Sequence, residues 1–220
     1  MFNLYIKRLN AILAFFFVFI GCAVSPELIN SIDPYEEQNR KVHEFNERVI
    51  EDLIEPVTGA YVEATPPFVR ERVTDFFENI NDVKSGLNNV MQENFSKALN
   101  DFGRFIFNST FGIFGLFDVA TPMGFGKNNE DFGQTLGKWG VEPGPYIVLP
   151  FLGPTTVRDG LSRGLDSVIS PLAVADDHPT ASGLLTGLNI LNETTVLLEL
   201  DNFVSGDKYI FFRDAYLPVS

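Results

Sequence analysis

Cysteine, histidine and tryptophan are almost missing from this 220-residue chain, which holds one, two and one of them. One cysteine cannot close a disulfide, and with only two histidines it cannot build a Cys/His zinc cluster. Basic residues are also scarce, 16 against 29 acidic ones, for a net charge of −13. That argues against nucleic-acid binding, which needs a basic patch. Beyond the first 21 positions there is no apolar run of about 18 residues, so the remainder carries no membrane-spanning helix. Repeats and low-complexity tracts are absent as well. What the chain does have is phenylalanine, 22 residues or a tenth of its length. With 45% apolar and 20% charged residues it is neither disordered nor collagen-like. Its length suits one domain of roughly 200 residues with a sizeable core.

The N-terminus reads as a secretory signal. Lys7 and Arg8 are the only charges before Glu27, and Leu9–Gly21 is a 13-residue run, apolar except for Asn10. This is too short to span a bilayer and has the basic start and small-residue end of a signal peptide. The segment closes on Phe19-Ile20-Gly21-Cys22, which resembles the bacterial lipobox, with Phe19 where leucine is usual. The expected division is a lipoprotein-type signal at 1–21, a lipidated linker at 22–32 and one helical domain at 33–217. Cys22 is the acylation site; a chance cysteine beside an ordinary signal is the alternative. Ala23 after the cysteine favours the outer membrane by resemblance to other such lipoproteins. Acyl chains anchor through burial of many CH₂ groups. Removing 1–21 takes away two basic residues and no acidic one, leaving 14 basic, 29 acidic and a net charge of −15. Attraction to anionic lipid is therefore excluded as a binding force.

The rest reads as helices. Asp33-Pro34-Tyr35-Glu36 predicts a helix start with Asp33 as N-cap and Pro34 at the first helical position. Val42, Phe45, Val49, Leu53 and Val57 form its apolar stripe, the carboxylates of 36–55 its solvated face, and Pro56 and Gly59 its end. A second helix starts at Thr65-Pro66-Pro67 and carries Val69, Val73, Phe76, Phe77, Ile80 and Val83, with Gly86 as a candidate break. A third starts near Asn94, with Phe95, Leu99, Phe102 and Phe105 or Ile106 on one face. From Phe105 to Phe117 there are 13 residues without a charge. A helix apolar all round is buried in protein or lipid, and this one is long enough to dip into a leaflet but not to cross it. Phe105, Phe107, Phe111, Phe114 and Phe117 are thus candidates for membrane contact, against the alternative of ordinary core packing. Residues 124–160 are rich in glycine and proline. Tyr146–Leu149 has strand character, but flanking prolines argue against a regular sheet. Helices resume at 155–169, 180–200 and 207–216.

No catalytic set emerges. His43 reads as a surface or packing residue, and Asp176-Asp177-His178 as a polar turn. The glycines of Gly133-Gln134-Thr135-Leu136-Gly137 match neither GxGxxG nor the Walker spacing. Gly183 and Gly187 have GxxxG spacing, read as tight intramolecular packing. Arg158 is a candidate phosphate contact, with an ion pair to Asp159 as the alternative.

Four separated blocks resemble the MlaA (VacJ) family of outer-membrane lipoproteins. The first is Asp33-Pro34-Tyr35-Glu36 with Asn39-Arg40 and Phe45-Asn46. The second is Arg104-Phe105, Asn108, Gly112 and Gly115–Ala120. The third runs from Phe132-Gly133 and Gly137 through Trp139-Gly140-Val141, Gly144-Pro145-Tyr146 and Pro150 to Gly153-Pro154 and Arg158-Asp159. The fourth is Tyr209 with Arg213–Tyr216. Family members usually carry a polar tail past this block, whereas this sequence ends at Ser220. The resemblance implies an all-α fold, a ring of short amphipathic helices in one membrane leaflet with a Gly/Pro-rich irregular segment. It implies a central amphipathic channel that removes mislocalised phospholipid from the outer leaflet and passes it to a soluble periplasmic lipid carrier. Trimeric porins are the implied membrane partners, no cofactor is implied, and no bond is made or broken. The alternative is a structural lipoprotein that scaffolds a porin without moving lipid.

Overall fold

The computed structural model describes residues 33–169, 179–201 and 206–217. Cys22, the signal and linker segments, and Asp176-Asp177-His178 lie outside these residues. The elements are α1 (Glu36–Val49), α2 (Glu55–Ala64), α3 (Pro67–Met91), α4 (Phe95–Phe111), α5 (Phe132–Lys138), β1 (Tyr146–Leu149), β2 (Gly153–Thr156), α6 (Val157–Ile169), α7 (Pro179–Asp201) and α8 (Lys208–Tyr216). The fold is all-α apart from one small antiparallel ribbon. Among the described residues no helix is long and apolar enough to cross a membrane.

The expected helices form, with boundaries that proline and glycine do not set as their local chemistry suggests. Tyr35, not Asp33, is the N-cap of α1, without a side-chain cap bond. Pro34 belongs to a turn, and the first helical bond runs from the Asn39 N–H to the Tyr35 carbonyl at 2.8 Å. Pro56 and Gly59 do not end this helix. A π-helical turn at Ile50–Ile54, closed by the Glu55 N–H on the Ile50 carbonyl, joins α1 to α2, and Pro56 sits in the first turn of α2. Proline lacks an N–H and crowds the carbonyl four residues back, and a wider turn just before it absorbs both defects. The chain breaks at Thr65, which is extended because Pro66 follows. Gly86 does not interrupt α3. It lies in the contact with α4, where an added Cβ would come within 2.8 Å of the Phe102 ring.

The uncharged segment from Phe105 to Phe117 is not one helix. α4 stops at Phe111, and residues 112–117 make a tight turn with Ile113 and Phe114 left-handed at φ 54° and 56°. Such backbone is costly for bulky side chains. The turn is held by Gly115 N–H to the Asn108 carbonyl and Phe117 N–H to the Gly112 carbonyl, both 2.9 Å.

Contrary to the expectation from the prolines, β1 and β2 pair, with Tyr146 opposite Thr156 and Leu149 opposite Gly153. A two-stranded ribbon consists of edge strands, where Pro154 is tolerated, and Pro150 falls in the loop. The GxxxG expectation also fails: among the described residues a Cβ at Gly183 or Gly187 would meet nothing within 4 Å. α7 packs instead through the opposite face, where Asn192 donates to Thr74 Oγ1 at 2.8 Å and accepts from the Tyr61 hydroxyl at 3.3 Å.

The glycines give a paired test. At Gly112 a Cβ would lie 2.1 Å from the Phe117 carbonyl oxygen and 2.5 Å from that of Asn108, whereas at Gly59 it would meet nothing. Gly112→Ala should cost more than about 2 kcal/mol, since backbone cannot move aside as a side chain can. Gly59→Ala should stabilise by up to about 1 kcal/mol through helix propensity. Thermal unfolding of both variants in one detergent checks the contrast.

Candidate functional site: a polar interior inside an apolar surface

Much of the apolar stripes stays exposed, although Val42 and Phe77 turn inward. Among the described residues, eighteen buried side chains are polar or charged and only six are hydrophobic. Phe45, Leu53 and Val57 of the first stripe are exposed, and on α4 Phe95, Leu99 and Ile106 stand out, Leu99 at 73%. The small apolar cluster consists of Tyr146, Val148 and Tyr209, with Val42 and Leu217 against it. The phenylalanines singled out for membrane contact divide. Phe111 and Phe114 are exposed, the latter at 78%, while Phe105, Phe107 and Phe117 are half-buried. Phe107 stacks on Phe111, and Phe117 packs near Phe68 under the Arg72 guanidinium.

The interior is built from amides and charges. Arg104 on α4 is 1% exposed. Its Nε donates to both Asp82 oxygens at 3.2–3.3 Å, Nη1 to Thr121 Oγ1 and the Phe125 carbonyl, and Nη2 to Asp118 at 3.2 Å. Asn108, one turn on, accepts from the backbone N–H groups of Val119 and Ala120 and donates to Asp118. Deeper between α3 and α4, Asp101 accepts from Ser85, Asn89 and Asn128. The second sequence block is thus one network, in which a buried cation and its partners hold the turn after α4.

The first, third and fourth blocks meet at the ribbon. Asn39 donates to the Tyr146 carbonyl at 3.1 Å and accepts from the Val148 N–H at 2.9 Å. Asn46, two turns further along α1, does the same with the Leu149 carbonyl and the Phe151 N–H. The two amides stand in for a third strand along β1. Phe45 packs edge-on against Phe151. Arg40 pairs with Glu36 and Asp207 and lies 4.3 Å over the Tyr209 ring. His43 packs against Tyr209 and Phe212, as a packing residue would.

The third block's glycines are contact surfaces. Gly133 and Gly137 lie one turn apart on α5, and Cβ atoms there would come within 2.6 Å of Asp159 Oδ1 and 2.9 Å of Arg158 Nη1. Gly140, Gly144 and Gly153 instead carry left-handed backbone. Pro145 offers its carbonyl to the Val157 N–H. Arg158 makes the ion pair with Asp159, at 2.7 Å, and donates to the Val141 carbonyl. Beside them a cavity of about 150 Å³ opens between α5 and α6, lined by Asp131, Gln134, Ser162 and Asp166 as well as this pair, Arg163 and Tyr216. Among the described residues no cluster of His, Cys, Asp and Glu could hold a metal ion.

A mostly polar buried interior beneath many exposed large apolar side chains defines a helical protein without the large apolar core of an ordinary water-soluble one. A sequence model described as MlaA lipoprotein matches residues 31–219, and the chain belongs to this family. It is 31% identical over 221 residues to the intermembrane phospholipid transport system lipoprotein MlaA of Escherichia coli K12, covering 95% of this chain and 85% of that one. It is 33% identical to the Haemophilus influenzae protein of the same description, over 84% and 76% of the two chains. An uncharacterized Rickettsia conorii protein is 35% identical over 83% and 74%. A solved chain from work on the structural basis for maintenance of bacterial outer membrane lipid asymmetry superposes with a TM-score of 0.69 at 29% identity. That match covers 84% of this chain and 94% of the other.

Two measurements test the interior. Asn39→Ala removes the side-chain bonds to the Tyr146 carbonyl and the Val148 N–H and should cost about 2–4 kcal/mol in a denaturation experiment. The second concerns pH. Burial, opposed by Arg104, pushes the Asp82 carboxyl from 3.8 up to about 7. Folded Asp82 therefore binds its proton more tightly than the unfolded chain does. Its contribution to stability is full below about 3.8 and is lost as pH rises through 7. Asp118 has the opposite sign. Burial would raise it, but hydrogen bonds from Thr121 and the charge of Arg104 hold it at about 2, so its contribution is lost only as pH falls toward that value. Asp82→Asn should flatten the decline in unfolding midpoint between about pH 4 and 7. A variant with the wild-type slope would assign that decline to another group.

Proposed function

We propose that this chain removes phospholipids mislocalised in the outer leaflet of the outer membrane and passes them to a soluble periplasmic carrier, so maintaining lipid asymmetry. In this reading Cys22 carries the lipid anchor. The helices sit as a ring in the inner leaflet beside a trimeric porin, and phospholipid headgroups pass along an amphipathic channel. The protein binds and guides lipid and catalyses no reaction. One observation carries the proposal: large apolar side chains stand exposed while most buried side chains are polar, with no described helix long and apolar enough to cross a membrane. In water that arrangement would forgo burial worth about 25 cal/mol per Å² of apolar surface, whereas in a leaflet the lipid covers it. The strained turn that presents Ile113 and Phe114 outward fits the same environment. The names of the E. coli and H. influenzae relatives agree with it.

Deletion of the gene should raise outer-leaflet phospholipid, measured by headgroup labelling or an outer-leaflet lipase, and the intact chain should reverse the rise. Unchanged asymmetry in a clean deletion, with porin still captured by cross-linking, would replace this reading with a scaffolding role. Cys22→Ser should leave the protein in the detergent-requiring fraction, because the helices themselves face lipid; release to the aqueous fraction would refute the embedded ring.

A further inference from the structure

The cavity between α5 and α6 has a lining of both charge signs and lies directly behind an apolar helix face. On α6, Asp159, Ser162 and Asp166 share the side that lines it. Val157, Leu161 and Leu165, at four-residue spacing on another side, are exposed. Phe151 and Leu152, at the tip of the ribbon, are also exposed, and the Arg163 guanidinium ties that tip to α6 through the Leu152 and Pro154 carbonyls. A polar cavity and an apolar strip thus occupy the two sides of one helix. A ligand that uses both is an amphiphile.

The charges in the cavity differ in how far they are already matched. Arg158 is committed to Asp159 and the Val141 carbonyl, and Arg163 to two carbonyls and the Tyr216 hydroxyl. Asp131 accepts from the backbone and side chain of Gln134, and Asp166 from the Phe132 N–H at 3.2 Å. Neither carboxylate has an ion pair among the described residues. Burial raises Asp166 above the usual carboxylate range, partly offset by the Phe132 N–H and by Lys84 and Asn88 on α3. An added cation would relieve that burial, and an added anion would aggravate it.

We propose that this cavity receives the ammonium of an ethanolamine-type phospholipid headgroup between Asp131 and Asp166, with Arg158 and Arg163 providing positive charge for its phosphate and the exposed α6 face covering an acyl chain. The proposal rests on phospholipid transport as the function and specifies the headgroup that is preferred. A net-anionic glycerol headgroup offers no cation to the two carboxylates and is disfavoured.

The test uses the full lipidated protein in detergent. Phosphatidylethanolamine and phosphatidylglycerol with the same acyl chains compete for it, and retained lipid is read by native mass spectrometry. The wild type should retain phosphatidylethanolamine several-fold over phosphatidylglycerol. Asp166→Asn and Asp131→Asn keep an oxygen for the backbone N–H groups they accept. Each should lower phosphatidylethanolamine retention roughly tenfold, the loss of one charge-assisted hydrogen bond, without lowering that of phosphatidylglycerol. Water-soluble glycerophosphoethanolamine should bind far more weakly than the lipid; equal binding would overturn the lipid as the ligand in favour of a free amine or a lysine of a protein partner. Equal retention of the two lipids by the wild type, or no effect of either variant, would overturn the headgroup preference and leave transport standing. Retention of neither lipid, with unaltered asymmetry on deletion, would remove both.

Discussion

A guanidinium shut away from water must find acceptors for its N–H groups, and Arg104 finds them on four separate stretches of chain. Asp82 belongs to α3, Asp118 to the turn after α4, Thr121 to the short 3₁₀ turn beyond it, and Phe125 to the following loop. Removing one side of such a set leaves a buried charge uncompensated, which is far more costly than the net value of the pairing. This requirement fixes how α4 leaves its helix, and so fixes where Ile113 and Phe114 stand. The Asn108 bonds to Val119 and Ala120 complete the same turn.

Amides do at the other end what the arginine does here. A ribbon of two strands leaves one edge of β1 open, and an open edge in an apolar setting is expensive. Asn39 and Asn46 close it from α1, each with one donor and one acceptor. Thr135 ties α5 to Asn88 of α3 in the same manner. Helices held together by hydrogen bonds rather than by apolar packing can leave their apolar faces free for the surroundings. That is the physical link between the polar interior and the lipid-facing role proposed for this chain.

Much of the helical outline was legible from periodicity, including the start of α4 at Asn94 and the start of α8 at Asp207, whose carboxylate accepts from the Ile210 N–H. The four blocks were legible as residues but not as contacts. Nothing local says that Gly133 and Gly137 stand against Asp159 and Arg158, or that Asn39 meets a strand more than 100 residues away. Pro56 and Gly86 misled because each carries a penalty that the folded chain absorbs without ending the helix, through an adjacent π turn in one case and close packing of the Phe102 ring from α4 in the other. Gly183 and Gly187 misled in the opposite direction, since GxxxG spacing permits close approach without supplying a partner.

What the sequence determined by itself was amphipathicity. Spacing fixed which residues share a face, and the shortness of the apolar runs left no described helix both long and apolar enough to cross a bilayer. What only the tertiary structure decided was which face points inward. A period of 3.6 is the same for a helix with its apolar stripe on a core and for one with that stripe on lipid. The difference arises where Asp82, Arg104 and Asn108 on one side, and Asn39 and Asn46 on the other, find partners that only the folded chain brings within hydrogen-bonding distance.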